Sequence, residues 1–413
     1  MSTFLEGTCD RFILKVQSST SQLPSEACVA DIAINGKSAA FHETVRDRGW
    51  AVLELMLEDE GEAELLSKWQ EVFQDAFSQE ENMKVAGGKY RSVKKLPVGF
   101  RRDDEREFFE SRVFKDKQGL AYINPLYSTC QYEQLVRLLF SLQRRVARII
   151  LRSLLRAIGI NHDAVIDLTD LKDPLENGET SEQQIEDGEI SDVSSSLLRV
   201  CSYPALQADA PLSDPLTDTD PTDKGVVFGS HTDTSVLTLG MCSSDPGLEL
   251  YDRQLKRWVN GELVAQQSCI ASGQTREERG VPLIVFVGEV LQVLTRAYYR
   301  ATIHRVRAPR AGTRISCPFI IRGKWGRTIN MRNGQNLESD GEGEEEELES
   351  YYAHPGGNEV LKKYTPDLDG SDVSLVHKIL DLKRAKCRRR NENATSDWVL
   401  AAELEVLGEE GEA

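Results

Sequence analysis

Between residues 197 and 322 the chain is cut into seven short apolar runs, each closed by turn-forming residues. They are "LLRVCSY" (197–203), "GVVFGSH" (225–231), "SVLTLGMC" (235–242), "GLELYD" (247–252), "PLIVFVG" (282–288), "ATIHRV" (301–306) and "RISCPFIIR" (314–322). Runs this short, rich in β-branched residues, read as strands rather than core helices. A series of them at this spacing predicts an all-β barrel or sandwich, because closing the sheet is what removes unpaired strand edges.

The flanks have a different pattern. "RGWAVLELML" (48–57) predicts a buried strand, and "EAELLSKWQEVFQDAFSQ" (62–79) places Leu65, Trp69, Val72, Phe73 and Phe77 on one stripe of a single helix. From Cys130 to Ile158 a long helix is expected, with Leu135, Leu138, Leu139, Leu142, Val146, Ile149 and Ile150 facing inward. Arg137, Arg144, Arg148 and Arg152 then form a solvated opposite face, and Gly159 is placed to end the helix. Residues 165–194 are acidic, poor in aromatics and aperiodic, which predicts a mobile insertion, and a denser acidic tract follows at 337–350. The expected organisation is an N-terminal α/β region with a long supporting helix (1–160), an acidic flexible insertion (161–195), a β core (196–325), an acidic linker (326–350) and a helical tail (351–413).

A chain of 413 residues can form one large domain with additions, and its net charge of −17 argues against non-specific binding to nucleic acid or anionic membrane. The cluster "KRAKCRRR" (383–390) reads most simply as the charged end of a helix beside an acidic tract. No run is long enough to span a bilayer. The eight cysteines are scattered without a Cys-x-x-Cys pair, and the first residues do not form a secretory leader. A cytoplasmic chain is therefore expected, with nuclear entry allowed by the basic cluster and protein partners met through the acidic segments.

The chemistry-bearing residues lie within the β region. Residues i and i+2 of a strand share a face, so His231 and Asp233 can present an imidazole and a carboxylate to one point. His304, in "TIHRV", is the other histidine of that region. Two histidines and one carboxylate on one face of an octahedral ion leave positions open, the arrangement of non-haem Fe(II) oxygenases, with zinc the competing ion. Arg314 and Ser316, again at i and i+2, can hold a carboxylate through a guanidinium and a hydroxyl. His42, His162, His354 and His377 have no partners at ligand spacing.

The segments "HTD" (231–233), "HRV" (304–306) and "RIS" (314–316), the last followed by "PFII", resemble the 2-oxoglutarate- and Fe(II)-dependent dioxygenases of the isopenicillin N synthase-like branch. "PGLELYDRQLKRWV" (246–259) is similar to the family's Pro-Gly-Leu-x-Val stretch, and "VGEVLQVLT" (287–295) to Gly-Asp-x-Leu-x-x-x-Thr. "LRVCSYP" (198–204) resembles its strand ending in Tyr-Pro. Four features depart from the pattern: Cys201 stands where an asparagine is common, Glu289 where an aspartate is usual, residues 260–280 are longer than the family's connection, and the acidic stretch at 165–194 is extra.

The resemblance implies a mainly β fold with flanking helices, a double-stranded β-helix or distorted jelly roll, and an N-terminal α/β segment along one edge. It implies His231, Asp233 and His304 as ligands of Fe(II), Arg314, Ser316 and Tyr203 as contacts of the cosubstrate 2-oxoglutarate, O2 as oxidant and ascorbate as an auxiliary reductant. No catalytic side chain beyond the metal site is expected. The implied reaction hydroxylates, desaturates or cyclises a small organic metabolite and releases succinate and CO2. Two rival readings are an Fe(II) oxidase of the same fold that uses no 2-oxoglutarate, and a non-catalytic binding or scaffold protein that has kept the metal site.

Overall fold

The structure, a computed structural model, describes residues 12–16, 38–86, 90–93, 96–103, 106–117, 121–123, 130–172, 190–205, 225–271, 280–295, 297–309 and 311–324. The expected linker 326–350, the tail 351–413 with its basic cluster, and residues 173–189 of the acidic insertion lie outside the described residues.

In chain order the N-terminal elements are β1 (Phe12–Val16), α1 (Ser38–Arg48), β2 (Trp50–Leu57), α2 (Glu60–Ser67), α3 (Trp69–Ser78), α4 (Glu81–Ala86), β3 (Arg91–Val93), β4 (Leu96–Arg102), β5 (Glu107–Ser111), β6 (Val113–Asp116), β7 (Ala121–Ile123), α5 (Cys130–Arg156), α6 (His162–Asp167) and β8 (Ile190–Val193). The β core follows as β9 (Leu197–Pro204), β10 (Val226–His231), β11 (Leu237–Met241), β12 (Leu248–Asp252), β13 (Arg257–Asn260), α7 (Gly261–Ala271), β14 (Val281–Val287), α8 (Glu289–Leu294), β15 (His304–Arg307) and β16 (Thr313–Ile321).

β9, β11, β14 and β16 lie in a nine-stranded sheet of order β1-β2-β14-β11-β16-β9-β5-β4-β3, while β10, β15, β12 and β13 form a facing four-stranded sheet in that order. A chain that passes back and forth between two antiparallel sheets in this way is the expected double-stranded β-helix. The side-chain alternation explains the layering. Leu237, Leu239 and Met241 of β11 and Leu283, Val285 and Val287 of β14 pack outward into the main core beneath α5. Ile284 and Phe286 point the other way, against Trp50, Val52 and Leu250. On α5, Leu135, Leu139, Leu142, Val146 and Ile150 are fully buried, each contributing about 1.5–3 kcal/mol. Gly159 ends that helix in a left-handed conformation (φ 67°), where Ile160 N–H reaches back to Leu155 O at 3.0 Å.

Four expectations are corrected. Residues 62–79 form two helices, α2 and α3, that meet at Lys68 (ψ 8°). The bend lets α2 lie on β2 and α5 while α3 reaches β9 and β16. Arg144 is buried, not solvated, because its guanidinium donates to the carbonyl of Asp170. That contact belongs to the interval expected to be a mobile insertion, whose described ends are ordered. Val165, Ile166 and Leu171 at one end and Ile190 and Val193 at the other are buried, an apolar content masked by the acidic count around them. The N-terminal region does not cover a single edge of the core, since β2 pairs with β14 on one side and β5 with β9 on the other.

Candidate metal centre

β10 ends at His231, which lies opposite His304 at the start of β15. The two imidazoles face one another across this antiparallel pair, with ring centroids 4.1 Å apart. Asp233 lies beyond the end of the strand, so its convergence with His231 comes from the turn after β10 and not from strand alternation. Its Oδ1 is 3.8 Å from His231 Nε2 and 3.9 Å from His304 Nε2. One donor atom from each residue fits within 4.8 Å of the others.

The turn is pinned from below. Glu289 N–H donates to Asp233 O at 2.9 Å, and Val290 N–H to Ser235 O at 2.9 Å. The buried Glu289 carboxylate accepts from the hydroxyls of Thr232 and Thr234, which flank Asp233. Glu289, which departs from the family pattern, therefore braces the ligand loop. Gly288 makes the close approach feasible, since a Cβ there would sit 2.2 Å from Ser235 O.

Hydrogen bonding sets the protonation of the donors. His231 Nδ1 lies 2.9 Å from Gly229 O and His304 Nδ1 lies 3.2 Å from Thr302 O. A carbonyl only accepts, so each Nδ1 carries its proton and each Nε2 offers a lone pair to the centre. Asp233 Oδ2 accepts from Thr238 Oγ1 at 2.6 Å, which turns Oδ1 toward the imidazoles. Phe228 and Phe286 stand against His231 and His304, at ring separations of 4.5 and 4.7 Å. Two neutral imidazole nitrogens and one carboxylate oxygen suit a divalent ion such as Fe(II) or Zn(II).

Arg314 and Ser316 point inward from β16, while Ile315 and Cys317 between and beyond them enter the core. Arg314 lies opposite Tyr203 on β9, its guanidinium 5.6 Å from the phenol ring centre. Its Nη2 donates to Glu262 Oε1 at 2.7 Å. Among the described residues its buried Nε and Nη1 have no hydrogen-bond partner. Buried donors left unsatisfied cost about 1–3 kcal/mol each, so this cation is built to receive another acceptor. Gly247, in the quoted Pro-Gly-Leu stretch, lets the backbone approach it: a Cβ there would lie 2.8 Å from both Cδ and Nε of Arg314.

Tyr203 is buried against Arg314, but its hydroxyl lies 3.4 Å from Arg106 Nη1, which donates to it. Burial, with Cys201 adding, pushes the phenol up to about 12 against the opposing pull of Arg106 and Arg314, so it stays protonated. Arg106 itself stacks 4.0 Å over the Phe228 ring. Glu262 is the site residue that sequence reasoning misses. It lies in the first turn of α7 inside the unusually long 260–280 connection, and its carboxylate also accepts the N–H groups of Ser243, Gly247 and Leu248. His42 is not part of the centre; it pairs with Ser153 Oγ at 2.9 Å. His162 lies beside Asp163 on α6, and His354 and His377 fall outside the described residues.

Comparison with known proteins agrees with this geometry. Residues 195–323 match the sequence model of the 2OG-Fe(II) oxygenase superfamily, a span that runs from the turn before β9 to just past β16. Gibberellin 3-beta-dioxygenase 1 of Oryza sativa subsp. japonica is 32% identical over 101 residues, which is 24% of this chain and 22% of that protein's length. A 2OG-Fe(II) oxygenase family protein from Caulobacter crescentus aligns over 90% of this chain and 99% of its own at 15% identity, with a TM-score of 0.53. A full-length Neurospora crassa protein, solved in complex with alpha-KG and 5-formyluracil, aligns over 77% of this chain and 86% of its own at 14% identity, with a TM-score of 0.50. A matched core, the interleaved two-sheet topology and the His-Asp-His cluster at the junction of β10 and β15 make residues 195–323 similar to the 2OG-Fe(II) oxygenase superfamily in both sequence and fold.

Proposed function

We propose that this protein is an Fe(II)- and 2-oxoglutarate-dependent dioxygenase that hydroxylates, desaturates or cyclises a small organic molecule. His231, Asp233 and His304 would hold the iron, and Arg314 with Ser316 would receive the far carboxylate of 2-oxoglutarate. The observation that carries the proposal is the pairing of a His-Asp-His cluster with a buried arginine that still has two unmatched donors. Bound iron supplies the activation of O2, coupled to decarboxylation of 2-oxoglutarate to succinate and CO2.

The chain's own residues have positioning roles. The carbonyls of Gly229 and Thr302 keep both imidazoles in the ligating tautomer, and Thr238 orients Asp233. Phe228 and Phe286 narrow the access of water to the ligand shell. Glu262 fixes one edge of the Arg314 guanidinium so that its remaining donors are aimed before the cosubstrate arrives. Tyr203, protonated, can donate to a cosubstrate oxygen while accepting from Arg106. No other side chain is assigned a proton-transfer role.

Three buried free cysteines, Cys201, Cys242 and Cys317, fit a reducing compartment and support a cytoplasmic placement. Among the described residues no helix is long and apolar enough to cross a membrane. The test is succinate formation from 2-oxoglutarate with Fe(II) and ascorbate. Slow uncoupled succinate release is expected from the parent protein, and none from His231→Ala. Absence of succinate from a metal-loaded parent refutes the proposal in favour of the oxidase or the scaffold.

A further inference from the structure

The inner face of β16 has an arginine near each end: Arg314 close to its start and Arg322 one residue past its close. Strand alternation puts Arg314, Ser316, Pro318, Ile320 and Arg322 on one side, so the two cations are about 26 Å apart along the strand. Thr238, which holds the ligand Asp233, faces Ile320 across the β11–β16 pair. The metal ligands therefore sit toward the Arg322 end. On the neighbouring β9, Ser316 faces Cys201 and Phe319 faces Leu198, so Arg199 falls beside Pro318 on the same inner side.

These cations are unevenly matched. Arg199 donates through Nε and Nη2 to the same oxygen of Glu110, and the second oxygen of Glu110 is buried without a hydrogen-bond partner. Arg322 has no carboxylate partner among the described residues. Its backbone N–H bonds Ser196 Oγ at 3.1 Å, and its buried Nε has no hydrogen-bond partner. Arg112, fully buried behind them, donates to the carbonyls of Pro97, Ser194 and Ser195. Arg199 and Arg112 draw on the buried acids Glu110 and Asp170, and Arg322 feels the attraction of Asp233 and Glu110 without a side-chain hydrogen bond to either. Burial, then repulsion from Arg199, lowers the Arg322 pKa against the pull of Asp233 and Glu110, and burial with repulsion from Arg322 brings Arg112 down to about 9 against the pull of Glu110 and Asp170. An added anion would relieve that repulsion.

We propose that Arg322, assisted by Arg199, binds a carboxylate of the primary substrate, so that the small molecules oxidised here are organic acids. The inference rests on Arg314 being the 2-oxoglutarate anchor, which leaves Arg322 as the unmatched cation on the other side of the metal ligands. The substrate's acid group docks at the Arg322 end and presents its carbon skeleton to the metal, while 2-oxoglutarate occupies the Arg314 end.

A matched pair of probes tests this: 1-naphthaleneacetate and its neutral isostere 1-naphthaleneacetamide, titrated by calorimetry into the full chain loaded with Mn(II) and saturating 2-oxoglutarate. The acid is expected to bind at least about tenfold more tightly than the amide. Arg322→Gln abolishes that preference without changing 2-oxoglutarate affinity, and Arg322→Lys retains part of it, with circular dichroism confirming that both are folded. Equal affinity for the two probes, or a preference that survives Arg322→Gln, overturns the proposal. The same titration on Arg314→Gln, without cosubstrate, reads the preference with the anchor disabled. Failure of 2-oxoglutarate to bind the parent would sink the dioxygenase reading, while the Arg314→Gln titration would still decide the acid preference.

Discussion

Thr238→Val probes the metal centre without touching a ligand. Thr238 is fully buried in β11, between Phe286 of β14 and Ile320 of β16, and its hydroxyl donates to Asp233 Oδ2 at 2.6 Å. Valine keeps the branched shape and the strand preference and removes the hydroxyl, which donates to Asp233 and also lies 3.2 Å from Ser235 Oγ, whose hydroxyl it accepts. A hydrogen bond to a charged group is worth about 1.5–3 kcal/mol. Substitutions behind metal ligands typically cost 10–100-fold in affinity, which is about 1.4–2.7 kcal/mol, so the two scales agree. Co(II) affinity, measured by competition with a chromophoric chelator, should weaken by about 10–100-fold. Thr238→Ser should restore most of it. A folded Thr238→Val protein that binds Co(II) within twofold of the parent, or a serine variant as weak as the valine one, would refute the view that this hydroxyl orients Asp233.

Three further outcomes follow from contacts around the centre. Glu262→Gln leaves one acceptor oxygen for four donors that now share two, so two buried donors lose their partner and urea unfolding should show a loss of about 2–6 kcal/mol; a change below about 1 kcal/mol counts against the network. Gly288→Ala drives a methyl into Ser235 O and should displace the 233–235 turn, lowering stability by at least about 1–3 kcal/mol and abolishing Co(II) binding; tight binding by this variant would show that the turn tolerates the shift. Burial lowers the pKa of His42, so the unfolded chain holds this proton more tightly than the folded one. The stability it brings is complete above about pH 6.5 and is lost as pH falls toward the folded pKa, so the urea midpoint of the parent should drop faster than that of His42→Gln between about pH 7 and 5.

How much could be read in advance depended on whether a residue's role followed from local periodicity. Leu237, Leu239 and Met241 alternate cleanly with Thr238 and Gly240, so β11 was visible, as were the other buried strands of the core. β5 and β6 were not, because "EFFES" and "VFKD" mix acids and a lysine into runs too short for a period to show. The residues of the His-Asp-His cluster were legible through spacing, yet Asp233 converges by a turn whose shape depends on Glu289 and Gly288 more than fifty residues away. The arginine-rich face of α5 points Arg144 to solvent, and only the return of Asp170 over that helix provides the acceptor that buries it. Glu262 had no signal at all: a glutamate at the start of a helix is ordinary, and its four donors arrive from three other segments.

The nine-stranded sheet also imposes an order on synthesis. β1 and β2 leave the ribosome well before the partner that seats β2, since β14 is translated more than two hundred residues later. At the opposite edge β5 waits for β9. The N-terminal strands must therefore remain soluble without their partners until most of the chain exists, and closing such distant pairs slows folding. A fragment cut at residue 195 would meet the converse problem, since β14 and β9 would each expose an open edge ready to pair with another copy. The β core and its N-terminal strands are in this sense one folding unit, made in two instalments.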